Sequence, residues 1–180
     1  MIENLLSVRE MESADIPDIA QYWSGADPLF LRGMGVDPGK VPSRDQWIHM
    51  LSEQMNLPFK EKQTYYLIWQ VDGRSVGHSN IRPIIFGEDA YMHLHLWDPT
   101  VRSRGMGTAL VRMTLPYFFE NLRLKRIYSE PYALNPAPNN TLQKVGFDFV
   151  KEYTTTPGFL NFEQPVRRWE LSYEKFKGIT

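Results

Sequence analysis

Cysteine is absent from the 180 residues, which excludes disulfides, thiolate metal sites and a cysteine nucleophile. Net charge is nearly absent too. Lys and Arg balance Asp and Glu to -1 at pH 7, so electrostatics gives no case for nucleic acid as a partner. The basic group Arg123, Lys125 and Arg126 reads as a solvated rim. No apolar run approaches the roughly 18 residues that span a bilayer. The start, Met1-Ile-Glu-Asn-Leu-Leu, lacks a basic region ahead of an apolar stretch. These absences predict a soluble cytoplasmic protein with no membrane partner. Repeats, low-complexity tracts and linkers are also missing, and a chain of this length suits one core better than two. Residues 1–180 are therefore expected to form a single domain. Two nucleotide signatures are incomplete. No Gly-Lys-Ser/Thr follows the glycines at 105 and 107, which argues against a Walker-type NTPase. Leu110 stands where a dinucleotide fingerprint has its third glycine.

What is present centres on residues 91–121. The alternating run Tyr91-Met-His-Leu-His-Leu-Trp97 leads through Asp98-Pro99 into Arg102-Ser-Arg-Gly-Met-Gly107 and then into an apolar-periodic helix. Gly105 and Gly107 permit a tight turn and leave no Cβ in the way of a ligand. The first N–H groups of the helix lack intrahelical partners and carry the positive end of its dipole. The combination predicts an anion site suited to phosphate, with Arg102 and Arg104 adding charge. On the strand, Tyr91, His93, His95 and Trp97 share one face, and Met92, Leu94 and Leu96 the other. On the helix, Val111, Leu115, Phe118, Phe119 and Leu122 form an apolar stripe. Pro116 predicts a kink within it.

The rest of the chain reads as alternating elements. Ser7–Met11 predicts a first strand, with Ser13 capping a helix over about 14–23. Residues 24–42 read as a long loop. Ser43-Arg-Asp-Gln46 is a capping box opening a helix that ends near Leu57. Tyr65–Val71 and Ser75–Ile85 predict a hairpin across Asp72-Gly73. Arg126–Tyr132 predicts a strand parallel to Tyr91–Trp97 through a right-handed crossover. Residues 147–155 and 167–176 predict a terminal antiparallel pair.

The R-x-x-G-x-G run between strand and helix resembles the pyrophosphate motif of the Gcn5-related N-acetyltransferases. Downstream, Asn135-Pro-Ala-Pro-Asn-Asn-Thr-Leu-Gln-Lys-Val-Gly-Phe147 resembles the family's next motif, N-x-x-S/A-x-x-x-L-x-K-x-G-F. The resemblance implies an α+β fold in α/β/α layers. Its twisted, mixed and mostly antiparallel sheet of six to seven strands has a V-shaped splay between the fourth and fifth, and helices cover both faces. It implies acetyl-CoA, or another acyl-CoA, as cosubstrate. Its binding wall would be Leu96, Trp97, Asp98, Arg102, Arg104, Gly105, Met106, Gly107 and Thr108, with Asn135, Asn139 and Asn140 opposite. Phe30 and Arg32 fall in the region that walls the family's acceptor pocket.

Acyl transfer to an amine requires alignment of two reactants, removal of a proton and stabilisation of an oxyanion. Backbone N–H groups near Leu96 and Trp97 are placed to polarise a thioester carbonyl. His93, His95 and Glu130 are the candidates for proton removal, Glu130 either orienting the imidazole or taking the proton itself. The resemblance to hydroxamate-siderophore and aminoglycoside acyltransferases, which carry a strand histidine and an acid-Pro pair at the positions of His93 and Glu130-Pro131, implies His93 with Glu130 first and His95 second. A histidine pair also suits a metal, but no third ligand stands at a telling spacing, so none is expected. Pro138 replaces the family's Ser/Ala, which leaves Tyr132, Asn139, Asn140 or solvent to supply the general acid. The activity expected is an acyl-CoA-dependent N-acyltransferase, most simply an acetyltransferase. It would act through a ternary complex on a primary amine of a small molecule or a protein N-terminus. The alternatives are a catalytically degenerate acyl-CoA sensor and, more weakly, a nucleotide phosphate site. No motif encodes the acceptor, and a homodimer is compatible with the sequence.

Overall fold

The computed structural model of the chain describes residues 5–101 and 105–179. Among these residues, one sheet contains β1 (Leu6–Glu10), β2 (Tyr65–Val71), β3 (Arg74–Ile85), β4 (Asp89–Leu96), β5 (Arg126–Ser129), β6 (Asp148–Thr155) and β7 (Gln164–Ser172). Their spatial order is β1-β2-β3-β4-β5-β7-β6. Only β4 and β5 pair in parallel; the other neighbours are antiparallel. Asp72 and Gly73, with φ of 52° and 76°, turn the β2–β3 hairpin in the sense that matches strand twist.

Helices α1 (Ile16–Ser24), α2 (Pro28–Gly33), α3 (Arg44–Met55), α4 (Met106–Asn121), α5 (Pro136–Val145) and α6 (Tyr173–Ile179) complete the described chain. Alternation along β2 shows how both faces are covered. Tyr65, Leu67, Trp69 and Val71 join the core beneath α4, including its stripe Val111, Leu115, Phe118 and Phe119. Tyr66 and Ile68 point the other way, toward Ile19 and Trp23 of α1 and Trp47 and Leu51 of α3. Trp69 Nε1 donates to Thr114 Oγ1 of α4 at 2.9 Å, so the one polar atom of that large side chain is satisfied within the core. No helix among the described residues is long and apolar enough to cross a membrane.

The feature that positions a site is the short contact between β4 and β5. Pairing is confined to Asp89↔Arg126, Ala90↔Ile127 and Tyr91↔Tyr128. At the next step the Ser129 hydroxyl donates to the Met92 carbonyl at 2.8 Å, and there β5 ends. Pro131 has no N–H to continue a ladder. The chain instead turns to β7, through Arg167 N–H to Pro131 O (3.1 Å) and Ala133 N–H to Pro165 O (2.9 Å). β4 runs on to Leu96 beside β3 but with no strand on its β5 side, and the sheet opens into the expected V.

Several boundaries differ from the sequence expectation for local reasons. The fifth strand stops at Ser129, with Tyr132 making only an isolated bridge to Val166. Residues 24–42 hold a helix, α2. The Asp27 side chain accepts from the N–H groups of Leu29 and Phe30, and Pro28 follows at the first helical position. Ser13 is not a cap: Glu12 and Asp15 cap a 3-10 turn reciprocally, and α1 follows it. The last strand ends at Ser172, whose hydroxyl accepts from Lys175 N–H at 3.2 Å. Helix α6 then places Phe176 on Phe119 at 4.7 Å and 20°.

Candidate active site

A cavity of about 260 Å³ lies where β4 and β5 part. Its walls include His93 and His95 from β4, Glu130 and Tyr132 from the chain leaving β5, and Asn135 at the start of α5. Trp23 of α1, Trp47 of α3 and the 157–161 segment between β6 and β7 close the far side. Alternation on β4 therefore brings the two expected histidines to one hollow, with Glu130 and Asn135. Phe30 and Arg32 are not among its lining residues, which corrects that expectation. The turn of α2 buries Leu31, packs Phe30 against Tyr22 and leaves Arg32 at the surface. Met34 and Val36 line the hollow in their place.

His93 Nε2 lies 3.0 Å from the Arg82 carbonyl. A carbonyl only accepts, so Nε2 carries the proton and Nδ1 holds the lone pair. His95 Nδ1 lies 3.2 Å from the Tyr22 hydroxyl, and its ring stacks on His78 at 4.8 Å and 28°. His78 is fully buried and accepts the Trp97 indole N–H at Nδ1, 2.7 Å away. His78 escapes the sequence reading because its pairing with His95 lies beyond a register shift between Ile81 and Ile84.

Burial pushes the His78 pKa down to about 3. It also holds His95 well below the ordinary imidazole range, helped by the neighbouring imidazoles, and lowers His93. In the unfolded chain each of these groups titrates near about 6.5. Below that value the unfolded state binds protons that the folded state refuses, so stability is full above it and falls with acidification. Each histidine kept neutral adds a slope of about 1.4 kcal/mol per pH unit. His78→Gln, whose amide oxygen can still accept from Trp97, is expected to flatten the dependence by that amount. Urea unfolding between about pH 4.5 and about pH 7.5 measures it, and an unchanged slope would show that His78 does not stay neutral.

Glu130 has partners that the sequence did not reveal. Its Oε1 accepts from the Tyr153 hydroxyl and from Arg168 Nε at 2.6 Å. Arg168 Nη2 donates to the Tyr91 hydroxyl at 2.7 Å, and the guanidinium stacks near the rings of Tyr91, Tyr128 and Tyr153. The Glu130 and Arg168 side chains are 8% and 24% exposed. The expected orientation of the His93 ring by Glu130 is therefore replaced by the Arg82 carbonyl, because the carboxylate is taken up by Arg168 and Tyr153. Glu130→Ala strands a largely buried guanidinium, and the unfolding free energy is expected to drop by about 3 kcal/mol in urea titrations. A drop within about 0.5 kcal/mol would show that the pair behaves as a surface contact.

The other end of the opening is the N-terminus of α4. Gly105 caps it at φ 75°, a left-handed conformation that favours glycine. Among the described residues, a Cβ added at Gly107 would meet only Leu96 Cδ1 at 3.9 Å and Thr141 Oγ1 at 4.0 Å. Protein packing alone therefore does not demand glycine there; the space is open. Thr108 follows in the same turn, and the Met106 side chain enters the core. Arg102 and Arg104 lie outside the described residues. Among the described residues no side chain fills the space over Gly107, and helix N-terminal amides beside such a space suit a phosphate.

Trp97 N–H donates to Val76 O on β3 at 2.8 Å, which removes it as a donor toward the opening. Strand N–H groups alternate sides, so Leu94 and Leu96 present theirs toward the gap. Asp98 accepts from Thr100 N–H and hydroxyl and pairs with Arg74 at 2.9 Å, fixing the approach to the loop. Asn139 is buried. Its amide donates to the carbonyls of Tyr132 and Asn135, and its oxygen accepts from Trp169 Nε1 at 2.9 Å. It pins α5 to β7 and is corrected from the expected ligand contact. Asn140 is exposed on α5.

Comparison with known proteins agrees with this geometry. A family model described as an acetyltransferase (GNAT) domain matches residues 6–148. No curated protein matches by sequence. Among solved structures, the Vibrio cholerae spermidine N-acetyltransferase in complex with CoA and spermine superposes with a TM-score of 0.77 at 18% identity, covering 96% of this chain and 98% of that one. RimL, a ribosomal L7/L12 alpha-N-protein acetyltransferase in complex with coenzyme A, also gives 0.77, at 14% identity with coverage of 97% and 98%. At these identities the likeness establishes the fold.

Proposed function

The chain belongs to the GNAT acetyltransferase family, and from that premise we propose that it acetylates a primary amine held beside His93, directly and within one ternary complex. The observation that carries this reading is the wedge between β4 and β5, with an open glycine hollow at one end and a histidine-lined cavity at the other. Acetyl-CoA, when bound, supplies an acetyl group activated as a thioester. The first turn of α4, with Gly105, Gly107 and Thr108, seats the diphosphate, and Arg102 and Arg104 add charge there. The open edge of β4 receives the extended pantetheine arm as a strand would be received. Leu94 N–H stabilises negative charge on the carbonyl oxygen, and Asn135 stands at the edge of the cavity to meet an amide.

His93 Nδ1 takes the proton of the incoming ammonium, directly or through water. Its lowered pKa keeps the ring neutral, and therefore able to accept, at physiological pH. Glu130 assists through its charge, which favours the imidazolium, rather than by a hydrogen bond. Tyr132 lines the cavity, and its hydroxyl bonds to no described residue. It is placed to return a proton to the departing thiolate.

Pro138, at the family's Ser/Ala position, motivates a second reading: an acyl-CoA sensor without turnover. Thiol release from acetyl-CoA separates the two. The panel comprises simple amines, amino acids, aminoglycosides, hydroxylamines, spermidine and peptide N-termini, the last two because similarly folded enzymes act on such acceptors. Release with any acceptor supports the transferase, and tight binding without release across the panel supports the sensor.

A further inference from the structure

The transferase reading leaves the acceptor open, and the charges around the cavity narrow it. Among the described lining residues Glu130 is the one carboxylate, and Arg168 neutralises it. Arg82 is the one lining cation. Its guanidinium lies 4.5 Å from the centre of the Phe159 ring, and no described carboxylate pairs with it. Burial chiefly lowers the pKa of His93; the Arg82 charge adds to this and the Glu130 charge opposes it, so Arg82 acts at the base itself. The uncompensated charge of the cavity is therefore positive. A polyamine would add further positive charges to it, an arrangement that like-charge repulsion opposes.

The same wall carries two donors without acceptors. Trp23 and Trp47 stack at 5.6 Å and 15°, are 5% and 3% exposed and line the cavity. Neither indole N–H has an acceptor among the described residues. Trp47 also adjoins Phe159 at 6.5 Å, so the cation and both indoles form one continuous surface. Met34, Val36 and Leu160 add apolar surface to the same lining.

We infer that the acceptor is a small amino carboxylate with an apolar body, its carboxylate held by Arg82 and its amine presented to His93. The base and the cation stand on adjacent strands, joined by the bond from His93 Nε2 to the Arg82 carbonyl. That proximity suits an amine and a carboxylate separated by few bonds, as in an amino acid. The inference rests on the transferase reading for the role of the amine, while carboxylate selectivity can be measured by binding alone.

The test uses leucine, leucinamide, 3-methylbutylamine and spermidine as probes, titrated into the protein saturated with CoA and followed by tryptophan fluorescence. Leucine is expected to bind at least about tenfold more tightly than each of the others, as one charge-assisted contact provides. Arg82→Gln should bring leucine and its two analogues within about twofold of one another, and Arg82→Lys should restore part of the preference. Arg82 is exposed, so both variants should keep the wild-type urea midpoint. Equal or tighter binding of 3-methylbutylamine or spermidine, no leucine binding, or an unchanged preference in Arg82→Gln would each overturn the inference. A preserved preference with no CoA release from acetyl-CoA would count against the transferase reading alone. CoA release with higher kcat/KM for amines lacking a carboxylate would count against the carboxylate alone.

Discussion

Replacing Gly107 with leucine is expected to leave the fold intact and to weaken coenzyme A binding by more than about 100-fold, because two or more charge-assisted contacts are lost together. The first part follows from the open space around this position. A Cβ would meet Leu96 and Thr141 only at ordinary contact distance, and leucine is a better helix former than glycine. The second part follows from where that space lies. Helix N-terminal amides act on a phosphate only at hydrogen-bond distance, and a leucine side chain would occupy the volume the diphosphate needs. Gly107→Ala should fall between wild type and leucine. Calorimetric titration with coenzyme A measures the loss, and a urea midpoint at the wild-type value shows that it is not unfolding. Wild-type affinity in the leucine variant would mean that the phosphate sits elsewhere.

His93→Ala is expected to preserve coenzyme A affinity and to lower kcat by about 10² to 10⁴, the usual range for losing a general base. The pH profile carries more information than the rate. Only the neutral ring accepts a proton, and burial lowers the His93 pKa. The acid limb of the wild-type profile should therefore lie below the ordinary imidazole value of about 6.5. In His93→Ala that limb should vanish, and the remaining rate should rise with pH as the free amine becomes available. His95 is the internal control. Its Nδ1 is held by Tyr22 and its ring is packed on His78 and Trp23, so His95→Ala should cost stability along with activity. A wild-type pH profile in His93→Ala would move the role of base to another group.

How much of this was legible in the sequence depends on the range of the interactions involved. The hairpin of β2 and β3, the faces of β4 and the buried stripe of α4 all follow from periodicity and turn chemistry, which are local. The left-handed cap at Gly105 and the room left at Gly107 among the described residues are legible for the same reason: positive φ and a missing Cβ are properties of single residues. Helix α2 was missed although its signal was local, an Asp-Pro pair that caps and starts a helix. The richness of that stretch in Gly, Pro and Asp predicts loop and hides the cap. The partners of Glu130 were beyond reach. Tyr153 and Arg168 come to it from β6 and β7, which meet only once the sheet order and a bulge between Phe149 and Lys151 have set the register. Asn139 was misjudged because its motif position implied a ligand. The partners that engage it, Tyr132 O and Trp169 Nε1, appear only after α5 packs against β7. Arg82 carried no motif at all. Its place at the cavity depends on the irregular pairing of β3 with β4 between Ile81 and Ile84.

Amide hydrogen exchange resolved to single residues, with and without acetyl-CoA, tests the seating of the thioester most directly. The account predicts that saturating acetyl-CoA slows exchange at Leu94, on the open edge of β4, and at Gly107 and Thr108 in the first turn of α4. Trp97, whose N–H already bonds to Val76, should change little. Binding that leaves Leu94, Gly107 and Thr108 unprotected would contradict it.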